Sequence, residues 1–88
     1  MGWWDFSAVD AELRALIQES PITRESVVAD CLEFLAAGEI ALAFETLADW
    51  LFEDQLAISR IYYERLAAIA SEISCQPAMA RLDELVLE

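Results

Sequence analysis

The stretch Gly38–Asp54, GEIALAFETLADWLFED, decides the fold because its apolar residues recur at a helical spacing. Successive large apolar residues lie four, three and four positions apart, which places them on one face of an α-helix. These residues are Ile40, Phe44, Leu47 and Leu51. A helix with one apolar face must bury that face against other elements. The stretch therefore predicts a helix over about Glu39–Asp54 that packs into an apolar core.

Segments on both sides of this stretch repeat the helical pattern. Further helices are predicted over about Ala8–Glu19, over Arg24–Ala37, from after Ser59 to about Ile73, and over Ala78–Leu87. The apolar residues at helical spacing in these segments form the predicted core: Val9, Leu13, Leu16, Ile17, Val27, Val28, Cys31, Leu32, Leu35, Tyr62, Leu66, Ile69, Ile73, Met79, Leu82 and Val86.

Capping residues mark the ends of the predicted helices. Ser7, Thr23 and Ser59 are predicted N-caps, because a side-chain hydroxyl can accept a hydrogen bond from a first-turn amide. Gly38 is the predicted C-terminal cap, since glycine adopts a left-handed backbone without strain. No segment alternates apolar and polar residues as a half-buried strand would. We therefore expect one all-α domain over residues 1–88, a small antiparallel bundle of four to five helices.

Composition and charge narrow the range of functions and partners that the chain can have. The 88 residues are 58% hydrophobic, which argues against disorder, and the net charge is −12 with no lysine. This charge disfavours nucleic acid and anionic membranes as partners, because both attract Lys and Arg. Asp5 and Asp10 interrupt the N-terminal region, so no secretory signal is expected, and no apolar run is long enough to span a membrane. A reducing cytoplasm is the expected location.

Residues that usually carry catalysis are scarce, and no enzyme activity or cofactor is expected. The chain has no histidine, which excludes Ser-His-Asp and Cys-His arrangements, and only two glycines, which excludes a glycine-rich phosphate loop. Cys31 and Cys75, without histidine, make a poor zinc site and are expected to stay reduced. No metal is predicted, although a site built from carboxylates alone stays open as an alternative.

The distribution of the acidic residues is the most informative feature. Residues 25–59 contain eight acids and no base: Glu25, Asp30, Glu33, Glu39, Glu45, Asp49, Glu53 and Asp54. Within the helix over Glu39–Asp54, Glu45, Asp49 and Glu53 recur every four positions and share one face. Like charges at this spacing destabilise a helix by about 0.2–0.5 kcal/mol per pair. Either this face is simply solvated, or it is an acidic patch for a basic partner; Asp30, Glu33 and Asp54 are predicted to extend that patch.

Aromatic residues lie close to the acids in the sequence. Trp50 is either a core residue or the apolar anchor of an interface, and Phe52 falls near the acidic face, away from the core stripe. Tyr62 matches the core stripe of its helix, so Tyr63, which diverges from it by about 100°, is predicted at the edge. The N-terminal Trp3, Trp4 and Phe6 either cover one end of the bundle or form an apolar patch that promotes dimerisation.

The middle of the chain resembles the helical immunity proteins of the Maf type (MafI family), small bacterial antitoxins that neutralise a polymorphic toxin of the same strain. The resemblance covers about residues 33–86. Its residues are GEIALAFETLADWLFE over Gly38–Glu53, the pair Ile58-Ser59, Tyr63, and LDELV over Leu82–Val86. The chain departs from the pattern at residues 52–55, where a tyrosine-rich segment is expected. The resemblance implies a cytoplasmic protein that blocks a toxin domain by direct contact.

The charge pattern and the resemblance lead to the same hypothesis: an immunity protein that neutralises a cognate toxin, expected to be a basic nuclease, through an acidic helical face. The predicted partner-binding residues are Asp30, Glu33, Glu45, Asp49, Trp50, Phe52, Glu53, Asp54 and Tyr63. The main alternative is a non-catalytic helical adaptor or dimerisation module that forms a homodimer through Trp3, Trp4 and other exposed apolar residues. A nucleic-acid mimic that blocks a DNA-binding protein shares the same charge logic.

Overall fold

The structure is a computed structural model that describes residues 6–87, with the side chain of Phe6 left out. Within this range there are four α-helices, two 3₁₀ helices and two very short strands. The α-helices are α1 (Phe6–Glu19), α2 (Glu25–Ala36), α3 (Ile40–Glu53) and α4 (Arg60–Glu72). The 3₁₀ helices are Gln76–Met79 and Leu82–Leu85, and the strands are β1 (Ile58–Ser59) and β2 (Val86–Leu87). The predicted small all-α fold is confirmed.

The core lies where the apolar faces of the helices meet. All four predicted core residues of α1 are buried, and Phe44, Leu47 and Leu51 of α3 are fully inaccessible to solvent. The predicted stripes on α2 and α4 are buried at their centres and partly exposed at their edges. Helix α3 packs most extensively against α2, and α4 packs against α1 and the first 3₁₀ helix. Because a three-residue connection joins α2 to α3, these two helices form a hairpin.

Two of the predicted N-caps are wrong, and one is confirmed. Helix α1 already includes Phe6, so Ser7 lies inside the helix and is not its N-cap. The N-cap position of α2 is Arg24 rather than Thr23, and no side chain caps that end. Ser59 does cap α4, because its Oγ accepts a 3.0 Å hydrogen bond from the amide of Tyr62. This bond orients the first turn of α4 and helps to send Tyr62 into the core.

The C-terminal segment differs from the prediction. A helix was expected over Ala78–Leu87, but the chain forms two 3₁₀ helices and then strand β2, which pairs in parallel with β1. Ile58 lies opposite Val86, and Ser59 lies opposite Leu87. The expectation of no strand is therefore also wrong. The apolar spacing correctly identified Met79 and Leu82 as core residues, but it missed Leu85, which is buried, and it included Val86, which is only partly buried.

No helix in the described part of the chain is both long and apolar enough to cross a membrane.

Candidate functional site

The outer face of α3 carries the acidic row, which we define as Glu45, Asp49 and Glu53. Helix α3 buries Ala43, Phe44, Leu47, Ala48 and Leu51 against the rest of the protein. The three acids lie on the opposite side and are all exposed. Positions four apart on a helix are separated by about 6 Å along its axis, so the row is a continuous ridge of carboxylates. Within residues 6–87, no arginine forms an ion pair with any of the three.

An arginine borders the acidic row on the side of α2. Arg24 donates from Nε to Oδ2 of Asp54 at 2.8 Å and from Nη2 to Oδ1 at 3.3 Å. The same guanidinium lies 4.9 Å from the ring centroid of Trp50. The hydrogen bond from Arg24 lowers the pKa of Asp54, and the same bond raises the pKa of Arg24. Asp54 is therefore paired with an arginine, whereas, in the described part of the chain, no residue of the acidic row is.

A second arginine borders the row on the opposite side. Arg81, between the two 3₁₀ helices, lies 4.3 Å from the ring centroid of Phe52. Its Nε is 3.6 Å from Oε2 of Glu84, so its charge is partly satisfied within its own segment. Both Trp50 and Phe52 pack against the core while keeping part of their surface exposed. The alternative uses of Trp50, as core residue or as interface residue, are compatible in this arrangement.

A shallow cavity of about 540 Å³ lies over this part of α3. Its lining residues are Arg24, Asp49, Trp50, Phe52, Glu53 and Asp54. Five of these six were predicted as partner-binding residues, and Arg24 was not. The charge pattern could not reveal Arg24 or Arg81, since each lies outside residues 25–59 and reaches α3 only through the fold. The only sequence signal for Arg24 was that it is a basic residue at the start of the helix that precedes α3.

The remaining predicted site residues lie elsewhere. Asp30 and Glu33 are exposed on α2 and do not line the cavity over α3. Tyr63 is partly buried on α4, at the edge of the core as predicted, with the guanidinium of Arg60 6.0 Å from its ring centroid. Helix α4 packs mainly against α1 and the first 3₁₀ helix, so Tyr63 is not grouped with the residues of α3. The predictions for Trp3 and Trp4 concern residues outside the described range.

The two thiols are buried and do not form a nucleophilic site. Burial raises the pKa of Cys31 to about 11, and the neighbouring charge of Asp30 acts in the same direction. Burial, followed by the charge of Glu45, also raises the pKa of Cys75, whose Sγ lies 4.0 Å from Oε2 of Glu45. Both thiols are therefore protonated at neutral pH, whereas a reactive cysteine needs a lowered pKa. Among the described residues, no group of three acids or thiols is placed to hold a metal ion.

The chain matches no protein-family model, no curated protein and no solved structure. An exposed ridge of carboxylates flanked by two partly exposed aromatic rings offers charge and apolar area together. That combination suits contact with a cationic protein surface.

Proposed function

We propose that this protein is a non-catalytic inhibitor of the immunity type that binds a cationic protein through the outer face of α3. The observation that carries the proposal is the acidic row, which is exposed and has no ion-pair partner within residues 6–87. Its carboxylates would pair with Lys or Arg of the partner, and Trp50 and Phe52 would supply the apolar contact at the border of the interface.

The energetic cost of the acidic row favours a role in binding over a purely structural role. Each like-charge pair in the row destabilises α3 by about 0.2–0.5 kcal/mol, and one Arg or Lys in the row would remove that penalty. The chain instead keeps three acids in succession and places Arg24 and Arg81 beside aromatic rings at the borders. A negative ridge speeds encounter with a positive surface and selects against partners of like charge.

The partner we propose is a basic toxin domain, most simply a nuclease. Nucleases bind phosphate and therefore present Lys and Arg around their substrate groove. A small protein that fills this groove with carboxylates would exclude the nucleic acid. The resemblance of residues 33–86 to the Maf-type immunity proteins supports the same partner class. The proposal places the protein in the cytoplasm, where an immunity protein would meet the toxin and where thiols stay reduced.

Charge reversal on the row tests the proposal. The tagged protein is used to capture partners from its native cells, first at low and then at high salt. We expect retention of one basic protein whose toxicity is suppressed by co-expression, with weaker retention at high salt. The variant Asp49→Lys/Glu53→Lys should bind this partner more weakly by a factor on the order of ten or more, because carboxylates that attract become ammonium groups that repel.

A matched control distinguishes the effect of charge on the outer face of α3 from the effect of the net charge of the protein. Glu64→Lys/Asp83→Lys makes the same change in net charge at exposed positions on α4 and on the second 3₁₀ helix. This control should keep most of the affinity. Equal binding by the wild-type protein and Asp49→Lys/Glu53→Lys would show that α3 is not the interface.

A dimerisation module is a second candidate function, and one observation favours it. Ile61 and Leu87 are 70% and 67% exposed; Leu87 belongs to β2, and Ile61 lies in the first turn of α4, directly after β1. Exposed apolar side chains at a strand edge favour contact between two copies. Sedimentation equilibrium distinguishes the two functions: a tight dimer that Ile61→Asp/Leu87→Asp dissociates would favour this module, whereas a monomer at micromolar concentration would exclude it.

A further inference from the structure

On the basis of the function proposed above, we propose that Trp50 and Asp54 form an arginine-binding subsite, that Arg24 occupies it in the free protein, and that an arginine of the cationic partner takes its place. The subsite has two parts, an indole ring and a carboxylate, and both contact a single guanidinium. It lies in the cavity that also contains Asp49 and Glu53 of the acidic row.

The geometry of Arg24 shows what the subsite selects. Two nitrogens of the guanidinium bond to the two carboxylate oxygens of Asp54, at 2.8 and 3.3 Å, while the carbon of the guanidinium lies 4.9 Å from the centre of the Trp50 ring. A planar guanidinium can donate two parallel hydrogen bonds and stack on an aromatic ring at the same time. A lysine ammonium is a point charge and cannot reproduce both contacts. The subsite therefore prefers arginine to lysine.

Exchange of one arginine for another is feasible at this position. The side chain of Arg24 is 53% exposed and that of Asp54 is 23% exposed, so the guanidinium can leave toward solvent while the carboxylate stays in place. Arg24 occupies the N-cap position of α2, but its side chain makes no capping hydrogen bond there. Its departure from the subsite therefore leaves α2 intact. An incoming arginine reaches the same indole and carboxylate from the open side of the cavity.

The acidic row favours a partner segment with several cations over the single resident arginine. Arg24 pairs with Asp54 and leaves Asp49 and Glu53 without an ion-pair partner. A partner segment with several cations can place one arginine in the subsite and neighbouring cations along the row. Arg81 provides a contrast, because it stacks on Phe52 but its nearest carboxylate is Glu84, on its own segment. Phe52 therefore lacks the kind of paired carboxylate that Asp54, at the C-terminal end of α3, supplies beside Trp50.

Two peptides of equal charge test the inference with the full chain. Dissociation constants are measured for pentaarginine and pentalysine with the wild-type protein and with Arg24→Gln, Arg14→Gln and Trp50→Leu. Arg24→Gln empties the subsite. Arg14→Gln makes the same change in net charge on α1, where Arg14 pairs with Asp10. Trp50→Leu removes the stacking surface and keeps the charge.

We expect the wild-type protein to bind pentaarginine about two- to fivefold more tightly than pentalysine, which corresponds to one exposed cation–π contact. Arg24→Gln should increase this ratio, while Arg14→Gln should leave it unchanged. Trp50→Leu should bring the ratio close to one, because it weakens the binding of pentaarginine more than the binding of pentalysine. Equal affinity of the wild-type protein for both peptides, or the same ratio for Arg24→Gln and Arg14→Gln, would overturn the inference.

Failure of the subsite and failure of the proposed function give different results. If the row alone binds the partner, Asp49→Lys/Glu53→Lys no longer captures the partner protein. The preference for pentaarginine over pentalysine is then the same for the wild-type protein and for all the peptide-test variants. If α3 is not an interface, capture survives the charge reversal whatever the peptides do. A circular dichroism melt of each variant verifies that the helices are intact, and the indole N–H resonance of Trp50 reports directly on occupancy of the subsite.

Discussion

At the scale of single residues, the ends of three helices depend on a left-handed backbone. Gly38, Gln55 and Ser74 follow the last turns of α2, α3 and α4, with φ of 80°, 52° and 59°. Each time, the amide one residue further on bonds back into the last turn, from Glu39 to Phe34, from Leu56 to Leu51 and from Cys75 to Ala70. This is the Schellman arrangement, which glycine adopts without strain and other residues do not.

Ser74→Gly should stabilise the protein by about 1 kcal/mol, because it removes the clash of a Cβ with a left-handed backbone. Urea denaturation followed by circular dichroism measures the change. Gln55→Gly is the comparison variant and should gain less, since the Gln55 side chain donates from Nε2 to the Phe52 carbonyl at 2.7 Å and glycine loses that bond. A destabilised Ser74→Gly would mean that the serine side chain contributes more than the backbone strain costs.

These positions also show what local sequence can reveal. Gly38 and Ser59 were predictable because each residue type has a strong preference for its cap position. The prediction for Thr23 is wrong because Thr23 lies one residue before the actual N-cap position. That position is Arg24, whose side chain contacts Trp50 of α3. Gln55 and Ser74 carry no signal, since neither residue type favours a left-handed backbone, and the packing of α3 and α4 determines where these helices stop.

At the scale of elements, one arginine and one tyrosine join α4 to α1. Arg65 bonds to Glu12 and to Glu19, with closest distances of 2.8 Å to each. The hydroxyl of Tyr62 donates to the Leu16 carbonyl in the last turn of α1. Carbonyls near the end of a helix have few partners within the helix, so this bond helps to terminate α1. Burial raises the pKa of Tyr62, which keeps the hydroxyl a donor.

The pair Arg65–Glu19 predicts how stability depends on pH. The hydrogen bond from Arg65 lowers the pKa of Glu19 below its ordinary value of 4.5. A carboxyl whose pKa is lower in the folded state stabilises the protein above its unfolded pKa, and this contribution disappears as the pH falls through the folded pKa. We expect Glu19→Gln to be less stable than the wild-type protein at pH 7, with the difference shrinking below pH 4.5.

Thermal melts of both proteins between pH 7 and pH 3 measure this difference. Glu64→Gln, an exposed acid on the same helix as Arg65, serves as the control and should follow the wild-type curve. A gap between Glu19→Gln and the wild-type protein that stays constant over the whole range would indicate that the effect of the substitution is steric rather than electrostatic.

Contacts between elements that are distant in the chain are the part of the fold and of the site that the sequence does not predict. The helices and their buried faces followed from spacing, because one apolar stripe determines which side of a helix is buried. The ion pair of Arg24 with Asp54 spans 30 residues, and that of Arg65 with Glu12 spans 53. No periodicity encodes such pairs. The structure of the C-terminal segment was also predicted wrongly. In so short a segment, apolar residues spaced three or four positions apart fit an α-helix, but they also fit two 3₁₀ helices followed by a strand.

At the scale of the whole molecule, the net charge of −12 opposes folding, while the apolar core favours it. Five arginines cannot neutralise 17 acids, and the acidic row adds local repulsion on α3. Salt shortens the range of these interactions to about 10 Å at 0.1 M. Salt also weakens the exposed ion pairs, but such pairs contribute little. The reduction in repulsion should therefore dominate, so that the melting temperature rises from low to moderate salt.

The acidic row connects this charge to function. Asp49 lies between Glu45 and Glu53 and takes part in two like-charge pairs, so Asp49→Asn should stabilise the isolated protein by about 0.4–1 kcal/mol at low salt. The same variant should have a smaller salt dependence of its melting temperature and should bind the cationic partner more weakly.

Asp83→Asn makes the same charge change outside the row and should gain less stability. A gain in stability together with a loss of binding is what a surface kept for a partner predicts. If Asp49→Asn and Asp83→Asn are equally stabilised and bind equally well, the row is a solvated face with no partner.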